Sequence, residues 1–244
     1  MSNYLLKTVA KDGTTHGGFQ WPPTAGVVVV ASDWDPKPEC GGGLHGLLNG
    51  AGNGSLLDWS DDAVWIVAEI DGPMVDLGRK IKCQQARTIV VGTRVEATEW
   101  LTGQGFSGVC GAVVSAGDGG SATTGHRGSA IAGRGGSAIA GDWGSAIAGD
   151  DGSSIAGDWG SSTAGDGGSA ITGRGGSAIT GRGGSAITGV WGSATAGAGG
   201  IISIRYWDNN RYRLCVGYIG EDGLLPGVAY RVERGAFVRV GDEA

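Results

Sequence analysis

The sequence predicts a mainly β protein whose centre, residues 113–200, is a β-solenoid of octapeptide repeats. Serine recurs every eight residues from Ser121 to Ser193, and each of these serines follows a glycine. A second glycine stands four residues after each serine, from Gly125 to Gly197, so the unit is G-S-A-I/T-A/T-G-x-x. Glycine at a strict period indicates stacked repeats, because disordered chains usually combine few apolar residues with high net charge.

The repeat favours short strands joined by tight turns. Two glycines in eight residues would each cost a helix about 1 kcal/mol relative to alanine. A segment such as Ser137–Ala140 can form a strand, and Gly141–Gly144 can form a turn in which the glycines take positive φ. Strands of successive coils would then pair about 4.8 Å apart.

The turn residues predict the number of repeats in each coil. Trp143, Trp159 and Trp191 are separated by 16 and 32 residues, and all three fall in the same one of two alternating turn series. Two repeats per coil would stack these indoles along one edge. We therefore predict flattened, two-sided coils of 16 residues. The ten regular repeats give five coils, preceded by a degenerate copy at Val113–Gly120.

Two arrangements of the side chains are open. Strand alternation places Ser and Ile on one face and the two Ala/Thr positions on the other. Because isoleucine is usually buried, we favour Ser and Ile inside, with Thr172, Thr180 and Thr188 in line on flat outer faces. The alternative has a core of alanine alone and an outward Ser-x-Ile stripe. The isoleucines concerned are Ile131, Ile139, Ile147, Ile155, Ile171, Ile179 and Ile187.

The flanks are predicted to form two further domains. Residues 1–112 have the pattern of a small α+β domain, with strands predicted at Gly26–Ala31 and Ala63–Ile70 and a short helix at Arg94–Leu101. Ile81–Cys83 and Thr88–Val91 are weaker strand candidates. Residues 201–244 are predicted to form a C-terminal β cap of four strands. Because a solenoid end exposes unpaired strand edges, we expect both flanks to serve as caps.

Composition and charge argue against several classes of function. The net charge is −6 and no segment is basic, so nucleic acid is not an expected partner. No apolar run approaches the roughly 20 residues of a membrane span, and the N-terminus lacks a signal-peptide pattern. The four cysteines show no CxxC spacing, so we expect reduced thiols in a cytoplasm. No motif points to a cofactor.

Cys40 and His45 are a nearby Cys/His pair in the glycine-rich loop predicted at Cys40–Gly50. They could form a thiolate–imidazole nucleophile if an acidic residue orients the histidine. The alternative, which we favour, is a tight turn with a structural cysteine, because catalytic roles require a specific geometry. A zinc site that adds Cys83 would lack a fourth ligand. We therefore predict no catalytic and no metal-binding residues.

An aromatic cluster is predicted elsewhere in the first domain. The segment His16–Trp21 would combine with Trp34, Trp59 and Trp65. We expect these residues to form core, with a small-ligand or nucleotide pocket that includes His16 as the alternative.

The repeats resemble those of bacterial ice-nucleation proteins, whose unit is close to A-G-Y-G-S-T-x-T in sixteen-residue pairs. Ala140–Ile147 and Ala148–Ile155 follow this frame. Most copies here carry Ser-x-Ile where that family has two threonines, and Ser-x-Thr occurs at Ser121/Thr123, Ser161/Thr163 and Ser193/Thr195. The resemblance implies the solenoid fold, with ice binding as one function.

The chain is also similar to uncharacterised phage and prophage proteins. These have an N-terminal domain with a C-x-x-G-[FL]-H-type motif, then octapeptide repeats and a short β tail. Cys40-Gly-Gly-Gly-Leu-His45 matches the motif, and Tyr218–Val240 matches the tail in character. The similarity implies a viral or prophage origin and a location in the host cytoplasm.

We predict a non-enzymatic structural or protein-binding scaffold that acts through its solenoid. Trp143, Trp159 and Trp191, or the Ala/Thr face, would contact a protein partner or a second copy of the chain. The alternatives are an ice-binding protein and an enzyme or small-ligand binder whose site lies in residues 1–112.

Overall fold

The computed structural model describes residues 2–15 and 17–241. The chain divides after Ala112, and the described residues on each side of that point form a compact unit. In the described residues, no helix is long and apolar enough to span a membrane.

The first unit is built on a seven-stranded antiparallel sheet. Its strand order is β2-β7-β4-β1-β3-β6-β5. The strands are β1 (Tyr4–Val9), β2 (Val28–Val30), β3 (Leu44–Leu48), β4 (Val64–Ile70), β5 (Met74–Asp76), β6 (Ile81–Cys83) and β7 (Gln85–Gly92). The core includes Leu5, Trp21 and Ile66, which are almost fully buried. Strand β3 lies within the segment that was predicted to be a loop, because Leu44 and Leu47 supply buried side chains to this sheet.

One helix, α1 (Arg94–Gly103), follows β7. Thr93 caps it: its hydroxyl accepts a hydrogen bond from the Glu96 backbone N–H, and the Glu96 carboxylate accepts one from the Thr93 N–H. This capping box satisfies two of the N–H groups that a helix start leaves unpaired. Ala97 and Leu101 form the buried side of the helix.

The second unit contains the predicted β-solenoid, which is therefore confirmed. Its parallel strands alternate between two sheets, and residue i pairs with residue i+16, as Ser129 pairs with Ser145 and Ser137 with Ser153. The two-sided coil of 16 residues is thus also confirmed, and the solenoid has about six turns. The strands are β8 (Val113–Ser115), β9 (Ser121–Thr123), β10 (Ser129–Ile131), β11 (Ser137–Ala140), β12 (Ser145–Ile147), β13 (Ser153–Ala156), β14 (Ser161–Ala164), β15 (Ser169–Thr172), β16 (Ser177–Thr180), β17 (Ser185–Thr188) and β18 (Ser193–Thr195).

The favoured side-chain arrangement is wrong: the core consists mainly of alanine, with serine or threonine at some of the same positions, and the isoleucines point outward. Ala130, Ala138 and Ala146 are fully buried. Where serine replaces alanine, the Ser154 and Ser162 hydroxyl oxygens on opposite sheets are 2.7 Å apart. The two sheets therefore lie too close for isoleucine between them, and tight packing of small side chains outweighs the usual preference of isoleucine for the interior.

The turns also differ from the prediction. The left-handed residue is the third of each turn, as at Trp143 with φ 58° and Asp151 with φ 56°, and not the glycines on either side. Those glycines are required by close approach. A Cβ added to Gly157 would lie 2.6 Å from the Asp142 backbone nitrogen of the preceding coil.

The C-terminal strands extend both solenoid sheets. β19 (Ile201–Trp207) pairs in parallel with β17, and β20 (Tyr212–Tyr218) then pairs with β19 as a hairpin. On the other sheet, β21 (Tyr230–Glu233) pairs with β18, and β22 (Ala236–Arg239) pairs with β21. Larger side chains, Ile202, Ile204, Leu224, Tyr230 and Phe237 among them, replace alanine in this part of the core.

Candidate functional site

The two outer faces of the solenoid carry the repeat's serine and isoleucine side chains. The first face belongs to the sheet of β8, β10, β12, β14, β16 and β18, and the second face to the sheet of β9, β11, β13, β15, β17 and β19. Ile139 and Ile155 on the second face are each 38% exposed, and Ile147 on the first is 40% exposed. Each face is therefore a row of serine hydroxyl groups beside a row of branched side chains. That second row is isoleucine from Ile139 to Ile187 on the second face. On the first face it is isoleucine interrupted by Thr163 and ended by Thr195.

Strict register makes these faces periodic. Ser137 pairs with Ser153 and Ile139 with Ile155, and the same alignment recurs from coil to coil. Adjacent strands of a sheet lie about 4.8 Å apart. Serine is consequently presented at one short, constant spacing on both faces, and isoleucine at the same spacing from Ile139 to Ile187 on the second face.

Thr172, Thr180 and Thr188 are not on an outer face, so their predicted exposure is wrong. All three are buried, at the core-facing position that alanine occupies in other repeats. The hydroxyls of Thr172 and Thr180 have no hydrogen-bond partner among the described residues, whereas the Thr188 hydroxyl donates to the Gly189 carbonyl at 3.2 Å. These threonines are core residues and cannot contact a partner.

The tryptophans lie along one edge of the solenoid. The Trp143 and Trp159 rings stack, with centroids 5.7 Å apart and planes 16° from parallel. Trp191 stands two coils beyond Trp159, with the Arg174 guanidinium 5.7 Å from its ring centroid. Trp143, Trp159 and Trp191 are 56%, 48% and 76% exposed.

Each of these tryptophans adopts a backbone conformation that favours glycine. Their φ values are 58°, 58° and 61°, and Gly175 takes the equivalent turn position in the coil between Trp159 and Trp191 with φ 65°. A non-glycine residue in this region costs of order 1 kcal/mol or more. The turn conformation does not require tryptophan, because glycine adopts it at Gly175. The tryptophans therefore matter for the exposed edge and not for the turn.

Aspartates in the turns hold successive coils together. The Asp142 carboxylate accepts a hydrogen bond from the Asp158 N–H at 2.9 Å, and the Asp158 carboxylate accepts one from the Arg174 N–H at 2.8 Å. On the other edge, Asp150 and Asp166 are linked in the same way at 3.0 Å. The sequence reasoning missed these contacts, although the 16-residue spacing of the aspartates was a readable signal.

Cys40 is paired with a lysine rather than with His45. The Lys80 ammonium group donates to the Cys40 sulfur at 3.1 Å, and this hydrogen bond, together with the charge of Lys80, lowers the pKa of the exposed thiol. His45 is half-buried, and burial together with Lys80, Lys7 and Lys82 lowers its pKa to about 4. A Cys/His nucleophile requires a hydrogen bond between the thiol and the imidazole. In the described residues, the Cys40 sulfur is bonded to Lys80 instead.

Cys83, the third residue of the zinc site considered from the sequence, is a buried free thiol. Burial raises the pKa of Cys83 to about 12, which makes a thiolate there unfavourable. Across residues 2–15 and 17–241, no group of three His, Cys, Asp or Glu side chains could hold a metal ion. His16 lies outside the described residues.

The aromatic residues of the first unit line a cavity of about 710 Å³. Trp21, Trp59 and Trp65 contribute to its wall, and the Trp59 and Trp65 rings meet edge to face at 5.3 Å. Trp34 lies elsewhere, with the Lys82 ammonium 5.9 Å from its ring centroid. Trp21 and Trp65 are at the same time buried core residues.

The repeats are similar to those of ice nucleation proteins. The chain is 33% identical over 100 residues to the ice nucleation protein InaU of Pantoea ananas, which is 40% of this chain and 10% of that protein. It is 33% identical over 100 residues to an ice nucleation protein of Enterobacter agglomerans, 8% of whose length is matched. It is 30% identical over 119 residues to InaA of Pantoea ananas, which is 48% of this chain and 9% of that protein.

The chain thus spans at most about a tenth of the length of these relatives. No family model and no solved structure matches it.

Proposed function

We propose that this protein is a non-enzymatic repeat protein whose solenoid faces bind a regular surface, and that this surface is ice. The observation that carries the proposal is the in-register repetition of outward serine on both sheets, beside isoleucine that is interrupted on one sheet by Thr163 and Thr195. A crystal surface repeats at fixed intervals, so a rigid array with one constant spacing can make the same contact many times. The similarity of the repeats to those of ice nucleation proteins supports ice as the surface.

The two side-chain rows have complementary effects on water. Serine hydroxyls such as those of Ser137 and Ser153 can each donate and accept hydrogen bonds, so they can hold water molecules in a row. The isoleucine rows beside them offer no polar group, and water next to them must bond to other water molecules. The repeat strands β8 to β18 contain no charged residue, and the charged side chains of the repeats, which would disorder that water, stand on the turns, as Arg134 and Arg182 do.

Incorporation of the protein into a slowly growing ice front tests the proposal. We expect wild-type protein to enter the ice and the double variant Ile147→Lys/Ile155→Lys, which puts a charge on each face, to be excluded. The matched control is Trp143→Lys/Trp159→Lys, which adds the same charge to the edge and should leave incorporation unchanged. Exclusion of the wild-type protein, or equal incorporation of the two variants, would contradict ice binding by the faces.

A second candidate function is protein binding by the tryptophan edge. Its support is the exposed Trp143–Trp159 stack at turn positions where glycine would be less strained. Exposed aromatic side chains commonly anchor protein contacts. Under this alternative, Trp143→Gly/Trp159→Gly removes the binding of a protein partner without unfolding, because relief of the φ strain offsets about 1 kcal/mol of lost stacking. Retention of the same partner by the glycine variant in a pull-down would exclude this edge as the contact.

A further inference from the structure

We propose that strand β20 is a self-association edge, at which two copies of the chain pair antiparallel and join their second-face sheets into one. The inference does not depend on what the faces bind. It rests on the open backbone edge of β20, on the side chains along that edge, and on the order of residues in the strand.

The backbone edge of β20 is open from Tyr212 to Val216. β20 is the last strand of its sheet, in the order β20-β19-β17-β15-β13-β11-β9. Two hydrogen bonds, one at each end of the hairpin, show which residues of β20 bond to β19. They run from the Asp208 N–H to the Arg211 carbonyl and from the Ile219 N–H to the Gly200 carbonyl. Because antiparallel bonding alternates along a strand, Arg213, Cys215 and Gly217 direct their N–H and C=O groups to β19.

The alternate residues therefore direct their backbone groups away from the sheet. These residues are Tyr212, Leu214, Val216 and Tyr218. Outside the hairpin ladder, the Tyr218 carbonyl accepts a bond from the Glu221 N–H at 3.1 Å. The register with β19 is continuous from Tyr212 to Tyr218, without a bulge that would bend the edge away from a partner.

The same four residues carry an exposed apolar row. Tyr212, Leu214, Val216 and Tyr218 are between 46% and 59% exposed. The edge lacks proline and lysine, the residues that usually protect edge strands from pairing. The Tyr212 ring is already held in place, with the Arg205 guanidinium 4.2 Å from its centroid and the Trp207 ring edge-on at 4.8 Å.

The order of residues in β20 is self-complementary, which selects a second copy as the partner. The strand is Tyr-Arg-Leu-Cys-Val-Gly-Tyr. In an antiparallel pair centred on Cys215, Tyr212 faces the partner's Tyr218 and Leu214 faces the partner's Val216. Those four residues direct their backbone groups outward, so they form the hydrogen-bonded pairs. In these pairs, each tyrosine contacts a tyrosine and each aliphatic side chain contacts an aliphatic side chain. This two-fold arrangement closes on itself and gives a dimer rather than a filament.

Sedimentation velocity across a concentration series tests the pairing. We expect the full chain to form a reversible dimer and Leu214→Lys to remain monomeric at concentrations at least about 10-fold higher. The matched control is Leu225→Lys, which adds the same charge at a leucine that is also exposed in this unit but lies outside the strands, and which should dimerise like the wild type. A second variant, Leu214→Pro, removes an edge N–H without adding a charge and should also be monomeric. A monomeric wild type, or a dimer that Leu214→Lys leaves intact, overturns the proposal.

The register is tested by oxidation in a Cys40→Ser background. Centring on Cys215 places the two Cys215 Cα atoms as a non-hydrogen-bonded pair, about 4.5 Å apart, which is within disulfide range. Cu(II)–phenanthroline should then take two electrons and two protons from the two thiols and yield a covalent dimer. Cys83 and Cys110 are buried and should remain reduced. A dimer that gives no Cys215 cross-link overturns the Cys215-centred register.

Discussion

The short distance between the two sheets of the solenoid determines which residues lie inside it and which lie outside. Alanine fills the core because a larger side chain would push the sheets apart, and isoleucine is placed on the outer faces as a result. Isoleucine was predicted to be buried because it is usually buried in globular proteins. Those proteins have cores with room for large side chains, and this solenoid does not. The signal for the correct arrangement was present, since alanine or serine follows every repeat serine from Ser121 to Ser193.

Paired substitutions at neighbouring residues test this core. Ala146→Leu should lower the free energy of unfolding by at least about 2 kcal/mol, because the site is fully buried against the opposite sheet. Ile147→Ala should cost less than about 1 kcal/mol, because that side chain remains 40% exposed. Urea unfolding measures both. A larger loss for Ile147→Ala than for Ala146→Leu would indicate an isoleucine core.

Cys40 should be the most reactive thiol of the chain. Its hydrogen bond from Lys80, and the charge of that lysine, favour the thiolate, whereas burial raises the pKa of Cys83 to about 12. We expect iodoacetamide at pH 7 to modify Cys40 first and Lys80→Met to slow that modification. Mass spectrometry of the labelled peptides measures the rates. An unchanged rate in Lys80→Met would show that Lys80 does not activate the thiol.

At the scale of elements, the turn sequence was the most informative part of the chain. The 16-residue spacing of Trp143 and Trp159 predicts the two-sided coil, and the structure stacks these rings. Less could be predicted in the first unit, where β1, β3 and β5 went unrecognised. The strand β3, Leu44–Leu48, follows three glycines, and its burial is decided by pairing with β1 and β6, which are distant in sequence. Such long-range pairing leaves little local signal.

Two deletions of one octapeptide distinguish the two-sided coil from other windings. Deletion of residues 145–152 keeps the repeat frame but places Trp143 and Trp159 on consecutive turns, and so on opposite edges. Deletion of residues 161–168 also removes one octapeptide and leaves the two rings one coil apart. Near-ultraviolet circular dichroism should lose the signal of the stacked indoles in the first deletion and keep it in the second. Equal spectra would contradict the 16-residue coil.

At the scale of the molecule, the second unit is a stack whose two sheets continue into the C-terminal strands. Each coil contacts mainly its neighbours, so the stability of such a stack is approximately a sum over coils. The aspartate bonds between turns, as from Asp142 to Asp158, add to the backbone ladder. The number of coils can therefore change without loss of the fold, and the size of the outer faces changes with it. The sequence reasoning did not predict the open apolar edge of β20, although the alternation of Tyr212, Leu214, Val216 and Tyr218 could have indicated it.

Freezing-point hysteresis of the intact protein, compared with a variant that lacks one whole coil, tests the central claim most directly. Deletion of residues 161–176 joins Gly160 to Ser177, keeps the frame and the Trp143–Trp159 pair, and removes one row from each outer face. Periodic binding by the faces predicts measurable hysteresis in the intact protein and less in the shortened one, with cooperative unfolding in both. Absence of hysteresis in the intact protein, or equal hysteresis in the two, would contradict it.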